Sequence, residues 1–189
     1  MLCLPVRARI TAVPAFRVRR SPRALAIAAV IVHTVVLAAQ PPAPEYETKL
    51  GFLVNFIKYV EWPPGAGPLR LCVAGQNPFG PALDGIGRGE RIGGREIVPQ
   101  VILEPDPACA VVFVPRTASR RAYLRAAEGL PVLTVGESPD FLELGGIINF
   151  VTEGSEVRFQ VDTERARRHK LTISSRLLSL SLADVRDSR

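Results

Sequence analysis

The apolar positions of this chain form one unbroken block near the N terminus and a series of short periodic blocks after it. Residues 24–39 are apolar except for His33 and Thr34, and a cluster of four arginines precedes them. A basic cluster, an apolar run and a small-residue exit are typical of a secretory signal peptide. Because the run is shorter than the roughly 18–20 residues that span a bilayer, we expect cleavage near Ala38 or Ala39. Retention as a membrane anchor is the alternative.

The first periodic block predicts a helix over residues 45–60. Apolar residues recur at the spacing of one helical face, and Phe52, Phe56 and Tyr59 add a second apolar side. A helix that is apolar on two sides is buried or docks a partner. Trp62 and the two prolines after it end the helix, because proline cannot continue one.

Short apolar runs of strand length alternate with helical segments through the rest of the chain. The predicted strands are residues 69–75, 96–103, 108–114, 130–135, 147–151 and 156–161. The predicted helices are residues 78–86, 119–128, 140–144, 163–170 and 171–182. Alternation of strands and helices predicts a parallel sheet, and the last two strands form a hairpin. The expected fold is an α/β three-layer domain, with a mixed, mostly parallel sheet of five or six strands flanked by helices.

These patterns divide the chain into a leader and one domain. We expect a signal peptide over residues 1–39, a proline-rich extended tether over 40–44, a single domain over 45–183 and a tail over 184–189. The only methionine is Met1. Because residues 1–17 exceed what a signal peptide needs, we expect a mis-called start and true initiation at Val18.

The positive charge of the chain belongs to the leader. Six of the 24 basic residues, and none of the 18 acidic ones, precede residue 40. The remaining 18 basic residues equal the acidic ones, so the mature domain is neutral. A basic chain would favour binding to nucleic acid or an anionic membrane, and this domain gives no reason to expect either.

Two cysteines, Cys72 and Cys109, remain after the leader. An even number of cysteines in an exported chain favours a disulfide, and two buried free thiols are the alternative. No metal site is expected, because the mature region has one histidine and its cysteines lack the CxxC spacing.

No catalytic constellation emerges, so we expect a protein that is not an enzyme and has no cofactor. Residues 75–80 lie between a strand and a helix but lack the spacing of a phosphate-binding loop, and a capped turn explains them. His169 lies among the basic residues of segment 165–170. That charge run predicts a solvated helix face, with an electropositive patch for an acidic partner as the functional alternative.

Several segments, taken in order, resemble the YfiR family of exported regulatory proteins. The first is residues 46–63, a helix with an Asn-Phe pair and a Trp-Pro ending, and the others follow in sequence. They are residues 71–80, 109–114, 132–137, 145–150, 157–162 and 171–178, with Phe141. Together the segments span nearly all of residues 45–180.

The resemblance implies a periplasmic regulator that binds the periplasmic sensor domain of an inner-membrane diguanylate cyclase and holds it inactive. Release of that repression raises cyclic di-GMP and promotes biofilm, and an outer-membrane lipoprotein can sequester the repressor. The family is often dimeric. Cys72 and Cys109 match a family disulfide pair, whereas the family's later cysteine pair is absent here.

The leading expectation is therefore a periplasmic regulatory binding protein that represses a diguanylate cyclase or a sensor kinase. An outer-membrane lipoprotein and a second copy are further expected partners, and nucleic acid is not. We expect partner contacts at Phe52, Phe56, Tyr59, Trp62 and Leu177, with burial of these residues in the core or a homodimer as the alternative. The second functional expectation is a periplasmic small-molecule binding module at the carboxyl ends of the strands. Its ligand-binding residues would be Gly75, Asn77, Thr117 and Glu137.

Overall fold

A computed structural model describes residues 43–182, except residues 66, 88 and 90. The predicted signal peptide, its cleavage site and the tail over 184–189 lie outside the described residues. Within the described part, no helix combines the length and the apolar content that crossing a bilayer requires.

The first helix, α1 (Pro44–Tyr59), confirms the predicted element. Proline is favoured in the first helical turn, and Glu45 and Glu47 place negative charge near the positive end of the helix dipole. The helix ends where Val60 becomes extended, and residues Val60–Glu61 form the short strand β1.

The main sheet contains seven strands in the order β3-β4-β2-β5-β6-β7-β8. These are β2 (Leu69–Ala74), β3 (Arg91–Ile92), β4 (Arg95–Ile102), β5 (Val111–Val114), β6 (Leu133–Gly136), β7 (Ile148–Glu153) and β8 (Glu156–Val161). The strands from β4 to β7 are parallel, and β3 and β8 pair antiparallel at the two edges. The predicted α/β fold with a mixed, mostly parallel sheet is confirmed. The strand beyond the expected five or six is β3, which a two-glycine turn folds back onto β4.

Successive residues of the central strands pack on opposite faces of the sheet, as the pleat requires. Leu71 and Val73 belong to the core beneath α1. Cys72 and Ala74 belong to a second core beneath α2 (Arg120–Ala127). The sheet is therefore buried on both faces, which makes three layers.

Three predicted helices differ from the structure. In place of the predicted helix over residues 78–86, Gly80–Gly85 forms a 3-10 helix. The Asn77 side chain accepts a hydrogen bond from Phe79 N and donates one to Gly80 O, which tightens the turn before this helix. Residues 140–144 form turns closed by the bond from Gly146 N to Phe141 O. Residues 171–182 are not one helix, since Thr172–Ile173 is a strand, β9, and only Ser175–Leu178 is helical, as α4.

The pairing of β9 with β1 is what overrides the predicted last helix. Ile173 lies opposite Val60 in a two-stranded antiparallel sheet. Before it, α3 (Thr163–Arg168) is capped as predicted by Asp162, which accepts a hydrogen bond of 2.7 Å from Arg165 N. Lys170, with φ of 60°, then turns the chain into β9.

A disulfide joins Cys72 in β2 to Cys109, with Cα atoms 5.9 Å apart. Cys109 precedes β5 rather than lying inside it, because that strand begins at Val111. The bridge ties the residue before β5 to the neighbouring strand on the α2 face of the sheet.

Candidate functional site

Two of the five predicted partner residues lie in the core. Phe56 and Leu177 have no exposed surface, which is the core burial that the sequence left open as the alternative. Phe52, Tyr59 and Trp62 are partly exposed while packing against the same core. The structure therefore divides the predicted set into buried and accessible members, and partner binding by the accessible ones stays a prediction.

An aromatic cluster explains why α1 is apolar on two sides. The Phe52 ring lies 5.3 Å from Phe159 and 6.0 Å from Phe150, and the Phe56 ring lies 5.0 Å from Phe159. Ring pairs at such distances stabilise beyond their buried area. Both apolar sides of α1 therefore help to hold the helix on the sheet.

Accessible residues occur both along α1 and in the segment after it. Gly51 is exposed, and Phe52, Asn55 and Tyr59 follow it at helical spacing with partial exposure. Beyond the helix, Trp62 Nε1 donates a hydrogen bond of 3.3 Å to Ala110 O, which fixes its ring at the surface. We call these five residues, Gly51, Phe52, Asn55, Tyr59 and Trp62, the α1 surface.

A buried charge cluster fixes the first turns of α1 to the carboxyl ends of the strands. Lys49 is fully buried, and its Nζ lies 2.5 Å from Oε2 of Glu137, which directly follows β6. The same Nζ bonds Glu45, one helical turn earlier. Burying a charge is costly unless it is paired and hydrogen-bonded, and here one ammonium group faces two carboxylates.

Neighbouring groups complete the hydrogen bonding of these carboxylates. Glu137 Oε1 accepts bonds from the Tyr46 hydroxyl at 3.2 Å and from Arg116 N at 3.1 Å. Glu45 Oε1 accepts a bond of 2.9 Å from the Thr152 hydroxyl. Each oxygen of Glu137 is thus engaged by an internal donor.

The cluster shifts two pKa values. The hydrogen bond from Lys49 lowers the pKa of Glu45. Burial, together with the adjacent Glu137 carboxylate, raises the pKa of Tyr46 to about 12, because both disfavour the phenolate. Both shifts keep the side chains in the protonation states that the hydrogen bonds need at neutral pH. We call this cluster of Glu45, Tyr46, Lys49, Glu137 and Thr152 the lock. We interpret it as the set of contacts that positions α1, and therefore the α1 surface, on the sheet.

Sequence reasoning missed the main parts of this lock. The spacing of Glu45 and Lys49 was a usable signal, since residues four apart on a helix face each other. Their pairing with Glu137 was not visible, because 88 residues separate Lys49 from Glu137.

The four residues of the small-molecule alternative differ in their exposure to solvent. Gly75 follows β2 and approaches the loop after β5, since a Cβ built on it would lie 3.8 Å from Ala118 Cβ. Thr117 in that loop is exposed, whereas the Asn77 side chain holds its own turn and Glu137 is buried in the lock. The ligand role of these residues stays a prediction.

The predicted solvated face around His169 is wrong for His169 itself. Its side chain is buried, and Nδ1 lies 2.9 Å from Leu130 O after α2. Desolvation lowers the pKa of His169. Arg167, Arg168 and Lys170 are exposed as predicted. Within the described ranges, no group of three or more His, Cys, Asp or Glu side chains could hold a metal ion.

Residues 46–182 match the model of a protein family described as YfiR/HmsC-like. The match spans α1 from Tyr46 onward, the whole sheet and α4, and so includes the α1 surface and all of the lock except Glu45. It covers well over half of the chain, and the chain belongs to this family.

Proposed function

We propose that this member of the YfiR/HmsC-like family is a periplasmic protein that represses a membrane signalling protein by binding its periplasmic domain. The partner is a diguanylate cyclase, or a sensor kinase of similar membrane topology. Family membership is the observation that carries the proposal, and it supports a regulatory rather than a catalytic role. The apolar leader before residue 40 supports export.

The α1 surface is the contact that we assign to this partner. Aromatic residues contribute disproportionately to binding energy at interfaces, and Tyr59 and Trp62 are both partly exposed. The lock and the aromatic cluster beneath hold α1 in place. A preorganised surface of this kind loses little conformational freedom when it binds.

Affinity capture tests the proposal directly. Mature protein, residues 40–189, would be used to capture binders from the detergent-solubilised envelope of the source cell, with identification by mass spectrometry. We expect a membrane diguanylate cyclase or sensor kinase with a periplasmic domain. Folded wild-type protein that captures no such receptor would contradict the proposal.

Gly51 provides a variant that changes the α1 surface without removing core contacts. It is exposed, and no heavy atom lies within 4 Å of a Cβ built on it. Gly51→Arg adds bulk and charge to the surface and should abolish capture. Gly51→Ala is the matched control, which should keep capture and raise stability by about 0.5–1 kcal/mol through helix propensity. Capture at the wild-type level by Gly51→Arg would exclude the α1 surface as the contact.

A further inference from the structure

A polar cavity that the proposed partner contact does not use lies beside α2. It has a volume of about 470 Å³ and lies between α2, the turn after β6 and α3. Sites for small molecules have volumes of roughly 300–1,000 Å³. The cavity is therefore large enough for a compact ligand.

The charged side chains that line this cavity are mostly cationic. They are Arg121 and Arg125 from α2, Arg165 and Arg168 from α3, His169 after α3 and Glu128 after α2. Four guanidinium groups against one carboxylate give a formal charge of +3 with the histidine neutral. We call this site the arginine cavity.

The arginines of this cavity are poorly compensated within the protein. Arg165 contacts Asp162 at 3.4 Å, while Arg167, which points elsewhere, pairs with Glu164. Among the described residues, Arg121, Arg125 and Arg168 have no ion-pair partner within 4.0 Å. Arg121 and Arg125 also lie one helical turn apart, where like charges destabilise a helix. An anion in the cavity would relieve this repulsion.

His169 is a buried polar group with one nitrogen left for a ligand. Its side chain is 6 % exposed, and it lines the cavity. Since Leu130 O can only accept, Nδ1 carries the proton of the 2.9 Å bond between them. Nε2 has no partner among the described residues. Gly145 contributes space, because a Cβ there would lie 3.1 Å from Nη1 of Arg165.

We infer that the arginine cavity binds a small molecule carrying a phosphate or pyrophosphate group. Guanidinium groups bind phosphate oxygens through paired hydrogen bonds, and a compact polyanion offers enough oxygens to engage several arginines together. A single carboxylate has too little charge to balance the cavity. This inference does not depend on the proposed function, because none of the residues that line the cavity belongs to the α1 surface.

Calorimetric titration and thermal shift of the mature protein with pyrophosphate, at constant ionic strength, test the inference. We expect saturable binding and a rise in melting temperature of about 5–10 °C near a hundredfold excess over Kd. Arg125→Gln and Arg168→Gln should each weaken the affinity at least about tenfold, since each removes charged hydrogen bonds. Both residues are exposed, so the variants should fold normally.

Arg167→Gln is the matched control, because Arg167 lies on the same helix outside the cavity. It should leave the affinity for pyrophosphate unchanged. Equal weakening by Arg167→Gln would reveal diffuse surface attraction and overturn the site, as would the absence of saturable binding. Citrate that binds as tightly as pyrophosphate would overturn the assignment to phosphate. Loss of receptor capture has no bearing on these titrations, so the two proposals fail separately.

Discussion

The two faces of the sheet solve the problem of burial in different ways. Beneath α1 the core is large and aromatic, and its buried charges at Lys49 and Glu137 are paired. Beneath α2 the core is built from smaller residues, such as Ala74, Val112 and Ala127, and is reinforced by a disulfide. The charges at its margin line an open cavity. One face therefore holds a helix rigidly, while the other leaves space and unbalanced charge for a ligand.

Of the changes that test this contrast, removal of the central charge of the lock should lower the free energy of unfolding most. Lys49→Met leaves the Glu137 carboxylate buried without its cation, and breaking a buried ion pair typically costs about 3–5 kcal/mol. Urea unfolding should show a loss of this size in the free energy of unfolding. The matched control is Lys58→Met, at an exposed position of the same helix, which should cost less than about 1 kcal/mol. Equal losses from the two variants would show that the buried ion pair of the lock contributes no more to stability than an exposed lysine of the same helix.

On the α2 face of the sheet, the disulfide has the stabilising role that the lock has beneath α1. The bridge joins residues 37 apart in sequence, and closing such a loop stabilises a protein by about 4 kcal/mol in the chain-entropy model. Cys72→Ala with Cys109→Ala should lower the free energy of unfolding by about 2–4 kcal/mol, and a reductant should do the same to the wild type. The reductant should not affect the double variant. A wild type whose melting temperature is insensitive to reductant would contradict the structural role of the bridge.

His169 should make the free energy of unfolding depend on pH, with an effect smaller than those of the two changes above. Its pKa is lowered in the folded state by burial, and Arg165 and Arg168 lower it further, while Leu130 O and Glu128 oppose the shift. Arg121 and Arg125 also face it across the cavity. Because the unfolded state then binds protons more readily, stability should fall as the pH drops below about 6.5. The loss of stability should be complete once the pH lies below the folded-state pKa of His169.

Urea titrations at several values between pH 7.5 and pH 5.5 measure this effect, and His169→Gln is the comparison. The variant should lose less stability on acidification than the wild type does. The only other histidine, His33, lies in the predicted leader. Parallel pH profiles for the two proteins would contradict the burial of a neutral histidine.

The sequence was informative wherever a local signal decided the structure. The apolar spacing of α1, the hairpin of β7 and β8, and the Asp162 cap each depend on residues close in the chain, and each was predicted. The fold class followed from their alternation. What could not be predicted depends on distant partners. Pairing with β1 turned residues 172–173 into a strand, and contact with Leu130, 39 residues away, buried His169.

The candidate site follows the same rule. The aromatic residues of α1 were visible, but which of them stay accessible is decided by Phe150 and Phe159 in the hairpin far along the chain. The arginine cavity was half visible as a basic segment over residues 165–170. Its other half, on α2, became apparent only when the fold placed the two helices beside the same cavity.

The central claim is that the protein represses a membrane signalling protein through its α1 surface. The most direct test is the intracellular level of cyclic di-GMP in source cells that lack the gene and carry either the wild-type gene or Gly51→Arg. We predict that the deletion raises cyclic di-GMP, that the wild-type gene restores the low level, and that Gly51→Arg, exported in equal amount, does not. An unchanged level in the deletion would contradict repression of a diguanylate cyclase. Full restoration by Gly51→Arg would contradict the role of the α1 surface.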